Sequence, residues 1–185
     1  MNYYLGIFGG VGTNPSAVLL KGKKIIAFAE EERFTRIKNA PLSLPINAIF
    51  YCLKKGKISI NKVKDVSFGW DCPHQFKIVP KKMKKIYSKY NSLNNNYNLN
   101  LEERIRLGYD PNKITSELKW AFAKKNQKFN KKISYYKHHL SHAASTFYPS
   151  GFKKSCILVL DGSGEEFTGG LYIGDKKKIK CIKKF

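Results

Sequence analysis

Short β-prone apolar runs open this chain, and apolar positions at helical spacing follow them. Tyr3 to Phe8, Ala17 to Leu20 and Ile25 to Ala29 are parted by Gly-rich and Lys-Gly-Lys-Lys turns, a pattern that predicts an antiparallel three-stranded meander. An amphipathic helix comes next. Pro45 suits its first turn, Ala48, Ile49, Cys52 and Leu53 share one face, and Gly56 ends the pattern. Val63 and then Val66 to Trp70 predict a returning strand. Between 75 and 130 Lys, Asn and Tyr dominate, and helical periodicity shows only around Ile105 to Leu107 and Leu118 to Phe122. That texture reads as an inserted helical segment with a loose loop at Asn91 to Asn100. Ile133 to Tyr136 resumes as a strand, His139 to Phe147 reads as a helix, and Pro149-Ser150-Gly151 breaks it. A second set of strands is expected at Cys156 to Leu160, Gly170 to Ile173 and Ile179 to Ile182.

Three paired strands, a helix and a returning strand make one α/β layer. That order resembles the ribonuclease-H-like half of actin, hexokinase and the heat-shock ATPases. The expected fold is therefore actin-like: a first lobe over residues 1–152, with the helical insertion at about 75–130, and the opening strands of a second lobe over 153–185. The sequence stops where a second unit repeating the first would begin its hairpins, so it reads as truncated or split.

Composition narrows the class. With 185 residues, 42% hydrophobic and 14% aromatic, the chain can build a sizeable core and is globular, not disordered. No window approaches the roughly 18 consecutive apolar residues of a membrane span, and Met1 to Gly12 lacks the basic region of a secretory signal, so a cytoplasmic protein without membrane contact is expected. Cys52, Cys72, Cys156 and Cys181 are scattered and form no CxxC pair, which argues against a zinc ribbon or a disulfide framework. The net charge of +22 raises nucleic acid as a partner. The excess is nearly all lysine, spread over loops and solvated faces, whereas nucleic-acid sites gather arginine and aromatics on one surface. Nucleic acid is therefore discounted, and a basic module docking tRNA or an acidic partner stands as the alternative, beside an inactive fragment.

The candidate chemistry lies in the second half. His138 and His142 are four apart, so on a helix both imidazoles leave one face, a metal-binding spacing. The apolar strand Ile157 to Leu160 then ends in Asp161-Gly162-Ser163-Gly164-Glu165. An aspartate at the carboxyl end of a strand can ligate a metal, while Gly162, Ser163 and Gly164 let backbone amides approach a phosphate. A tight turn capped by Asp161 is the plainer reading of the same residues. His139, between the paired histidines, either faces substrate as a catalytic group or packs in the core. Glu30 to Arg36 reads as a charged loop after a strand, with arginines able to grip a phosphate or a domain partner.

These motifs together resemble one family. His138 to Ser145, then Tyr148 to Phe152, then the strand ending in Asp161 to Glu165 look like the carbamoyltransferases that include nodulation-factor and antibiotic carbamoylating enzymes. Glu30-Glu31-Glu32-Arg33-Phe34-Thr35-Arg36 and Phe68-Gly69-Trp70-Asp71 agree with the same family. Thr13 departs from it, standing where an imidazole is usual, as does Glu166 to Gly169 around the second glycine-rich turn. The resemblance implies a domain related to the tRNA threonylcarbamoyl-transferring subunit, with His138, His142 and Asp161 as three ligands of a divalent metal, iron, and a fourth ligand beyond Phe185. It implies a C-terminal YrdC-like domain that makes carbamoyl-adenylate from ATP and carbamoyl phosphate, and a small-molecule hydroxyl as acceptor. Glu32 and Arg33 would neighbour the active cleft.

Overall fold

The computed structural model describes residues 1–89, 103, 106–176 and 178–185. Asn91 to Asn100 and Ile105, read above as part of the insertion, lie outside the described residues. The chain forms two compact units, one of residues 1–68 and 72–134, the other of residues 69–71 and 135–185.

The first unit is built on a mixed sheet. β1 (Tyr3–Phe8), β2 (Ser16–Lys21) and β3 (Lys24–Glu30) pair antiparallel as the expected meander, and β4 (Val63–Phe68) returns parallel to β1. With β5 (Ile133–Tyr135) the strand order is β3-β2-β1-β4-β5. Alternation selects the buried face: Leu5 and Ile7 stand opposite Leu19 and Ala17, and all four are buried. α1 (Glu32–Thr35) is a single turn after β3, and α2 (Ile46–Gly56) crosses over to reach β4. The predicted face of α2, Ala48, Ile49, Cys52 and Leu53, is the buried one. Pro45 sits at the N-cap, one residue ahead of the helix.

Gly56 ends the apolar pattern for a reason that its spacing did not show. The left-handed residue after α2 is Lys57, while a Cβ on Gly56 would lie 2.4 Å from Leu19 Cδ2. The glycine lets the helix end rest on β2. The start of α2 is held from outside the helix: buried Glu31 accepts the amides of Asn47 (3.1 Å) and Ala48 (2.9 Å) and the Asn47 side-chain Nδ2 (2.6 Å). First-turn amides have no partner within a helix, and a carboxylate there also meets the positive end of the helix dipole.

α3 (Cys72–Lys89) and α4 (Pro111–Ala123) fall in the segment expected to be helical. α4 starts where periodicity alone gave no signal. Asp110 accepts the Asn112 amide at 2.9 Å, and Pro111 opens the helix. Ile114, Leu118 and Phe122 are buried, with Phe122 packed on Phe50 and Phe129 at 4.7 and 5.3 Å between ring centroids. Among the described residues no helix is long and apolar enough to cross a membrane.

The second unit pairs one helix with one sheet. α5 (His138–Phe147) precedes β6 (Lys154–Leu160), β7 (Gly169–Asp175) and β8 (Lys178–Lys184), which form an antiparallel sheet in that order. Ala143 and Phe147 bury against Ile157, Val159 and Tyr172, and Leu140, Ile179 and Cys181 close the cluster. Burying a side chain the size of phenylalanine contributes about 1.5–3 kcal/mol, so α5 is fixed chiefly by this contact. The apolar run in β6 is not buried throughout: Leu158 and Leu160 point away from α5 and are 58% and 74% exposed. Two-residue periodicity splits any strand this way when a helix covers one face. Contacts group α5 with β6 to β8 in this unit, together with residues 69–71.

Candidate metal centre

β6 ends at Leu160, and the next amide, of Asp161, still donates to the Thr168 carbonyl at 2.8 Å. That bond extends the ladder by one residue and launches the Asp161 carboxylate from a fixed point. α5 opens at His138, which puts His138 and His142 one turn apart on one face. The three side chains meet. His138 Nε2 lies 2.8 Å from Asp161 Oδ2 and 3.0 Å from His142 Nε2, and His142 Nε2 lies 3.3 Å from the same carboxylate oxygen.

The hydrogen-bonding chemistry of this cluster bears on whether it could hold a cation. His138 Nδ1 lies 3.2 Å from the Gly69 carbonyl, which can only accept, so Nδ1 carries the proton. In the neutral ring Nε2 then presents a lone pair toward an anionic oxygen and a second imidazole nitrogen. A proton on His142 Nε2 can be shared between His138 Nε2 and Asp161 Oδ2, and a metal ion in its place would be met by all three atoms. Donor atoms sharing one small ion with bonds of about 2.0 Å sit roughly 3 Å apart, which matches the spacing here, and two imidazoles with one carboxylate suit iron or zinc. The three candidate ligand atoms lie within 4.8 Å of one another. Burial opposes the Asp161 charge, but the Gly162 amide and the facing imidazoles outweigh it and hold the carboxyl below its ordinary value. His138 is nearly covered, its ring 4.0 Å from that of Trp70 at an interplanar angle of 32°, while His142 is half exposed and leaves one side open.

The other anticipated residues divide. His139 is 5% exposed and faces into the unit, with Nε2 lacking a hydrogen-bond partner among the described residues and 3.9 Å from Asp161 Oδ2. Burial, reinforced by neighbouring His138, lowers its pKa, and the 5% exposure puts the ring in the packed position of the two that the sequence left open. The Gly162 amide donates to Asp161 Oδ1 (2.7 Å) and that of Gly164 to the Phe167 carbonyl (2.8 Å), so in this conformation neither is offered to a phosphate; Ser163, between them, is exposed. Glu32 and Arg33 belong to the first unit. Glu32 accepts the Asn39 amide at 2.7 Å, and Arg33 pairs with Glu30 and Glu32 at 3.0 and 3.4 Å.

Three contributors escaped the sequence reading. Gly69 acts through its carbonyl and Trp70 through its ring face. Glu165 is buried, and its Oε1 accepts the amides of His138 (2.7 Å) and Asp71 (3.1 Å). Their motifs were visible, but no side-chain signal marks a carbonyl acceptor or the amides a carboxylate receives. An open groove of about 690 Å³ beside α5, lined by Tyr136, Leu140, Ala144, Tyr148 and Ile179 among others, includes none of His138, His142 and Asp161.

Set against known proteins, residues 7–185 match the family model described as carbamoyltransferase N-terminus. The chain belongs to this family. An uncharacterized protein of Synechocystis sp. is 30% identical over 187 residues, covering 97% of this chain and 28% of that protein. Nodulation protein NolNO of Sinorhizobium fredii is 28% identical over 171 residues, covering 92% of this chain and 22% of that protein. This carbamoyltransferase N-terminus therefore spans 22–28% of the length of these curated relatives. Among solved structures, YeaZ from Pseudomonas aeruginosa superposes with a TM-score of 0.50 at 8% identity, over 99% of this chain and 65% of YeaZ. At that identity the likeness speaks for the fold alone, the actin-like arrangement expected from the strand order.

Proposed function

We propose that this chain supplies the metal-binding wall of a cytoplasmic O-carbamoyltransferase, which passes a carbamoyl group from carbamoyl-adenylate to a hydroxyl of a sugar or other small metabolite. Carbamoyl-adenylate would come from ATP and carbamoyl phosphate on a YrdC-like domain outside this sequence. The observation that carries the reading is the convergence of His138, His142 and Asp161 within 4.8 Å in a chain of the carbamoyltransferase family. A carbamoyl carbonyl is a poor electrophile because its nitrogen donates electron density. A divalent ion, iron in this reading, supplies Lewis acidity toward that carbonyl or toward the acceptor hydroxyl. His138 and His142 offer neutral nitrogen donors, Asp161 offers charge, and the half-exposed His142 side leaves room for substrate. Of the glycine-rich loop, the exposed Ser163 is the residue left to meet a phosphate.

Metal analysis tests this directly. The chain loaded with Fe²⁺ or Co²⁺ should retain about one equivalent after dialysis, and His142→Ala should lose it. Unchanged metal content in that variant would remove the ligand assignment and the catalytic reading with it.

A further inference from the structure

A metal ligand is only as well placed as the contacts that hold its ring and its backbone. For His138 these converge on one segment. Gly69 supplies the carbonyl that takes the Nδ1 proton at 3.2 Å, Trp70 supplies the ring face at 4.0 Å, and the next residue is Asp71. Glu165 Oε1 accepts both the Asp71 amide (3.1 Å) and the His138 amide (2.7 Å). One buried oxygen therefore ties the segment that orients the imidazole to the backbone that carries it. The His138 amide is the first in α5, where helix geometry supplies no carbonyl four residues back, and Glu165 accepts it.

We propose that Glu165 is a positioning residue for His138: it does not bind the metal but fixes the tautomer and the aim of a ligand by clamping residues 69–71 to the start of α5. The proposal rests on the metal reading above. Outer contacts of this kind, a histidine ring held through its other nitrogen, change metal affinity about 10–100-fold when lost.

The test is a Co²⁺ titration of the full chain, followed by visible absorption, beside hydrogen exchange of the metal-free protein. Glu165→Ala should bind Co²⁺ about 10–100-fold more weakly with an altered spectrum. Glu165→Gln keeps an acceptor oxygen and should stay close to wild type in both. In wild type, the amides of His138 and Asp71, both donated to Glu165 Oε1, should exchange slowly. An Ala variant with wild-type affinity and spectrum, a Gln variant as weak as Ala, or a His138 amide exchanging at the unprotected rate would each overturn the role of Glu165. The exchange result decides alone should the Ala variant fail to fold. A wild-type chain that binds no Co²⁺ overturns the metal reading itself, an outcome separate from these.

Discussion

Gly162 and Gly164 flank Ser163 in one loop and look interchangeable in sequence, yet the structure assigns them opposite sensitivities. A Cβ on Gly164 would lie 2.5 Å from His139 Cε1, 2.7 Å from Nε2 and 3.0 Å from Nδ1, whereas a Cβ on Gly162 meets nothing within 4 Å. Neither glycine has the positive φ that would penalise alanine on its own account. Alanine at 162 should thus be neutral, or stabilising by up to about 1 kcal/mol through a less disordered unfolded chain. Alanine at 164 gains the same term but must displace a ring that is 5% exposed. Overpacking of this kind costs about 1–3 kcal/mol, which leaves a net loss of up to about 2 kcal/mol relative to wild type and puts Gly164→Ala about 1–3 kcal/mol below Gly162→Ala. The same loop carries Asp161 at one end and Glu165 at the other, so any shift of the backbone should also show in Co²⁺ affinity. Urea unfolding of the two variants, with Co²⁺ affinity measured alongside, checks both parts. Equal midpoints for Gly162→Ala and Gly164→Ala would refute the packing argument.

Two further outcomes follow from buried groups in the first unit. Glu31→Ala strips the acceptors from the Asn47 and Ala48 amides and should cost about 3 kcal/mol, with Glu31→Gln losing roughly half as much; urea unfolding followed by helix circular dichroism would show it, and a loss under about 0.5 kcal/mol would mean that the cap is redundant. Burial pushes the Cys52 thiol from 9.0 up to about 11. Because the folded value is the higher one, its stabilising contribution is complete below pH 9 and is lost as pH rises toward 11, reaching up to about 3 kcal/mol at about 1.4 kcal/mol per pH unit. The alkaline limb of stability against pH should therefore flatten between 9 and 11 in Cys52→Ala; an equally steep limb would locate the titrating group elsewhere.

Much of this protein was legible because it depends on local periodicity. Alternation in Tyr3 to Phe8 and its neighbours predicted the meander, and spacing in Ala48 to Leu53 predicted the buried face of α2. The four-residue step from His138 to His142 predicted paired imidazoles, since helix geometry alone puts them together. What spacing could not supply is distance between elements. That Asp161 closes the triangle was an expectation from family likeness, and only the packing of α5 on β6 and β7 brings its oxygen to 2.8 Å from His138. The loop glycines show the same limit: a Gly-rich turn reads as phosphate access, but the fold commits the Gly162 and Gly164 amides internally and presses Gly164 on His139. Glu31 and Glu165, charged residues in polar motifs, look like solvated positions until tertiary structure buries each against backbone amides. Periodicity is a property of one segment and can be read from it; which carboxylate reaches which amide depends on two segments at once, and only the folded chain sets that.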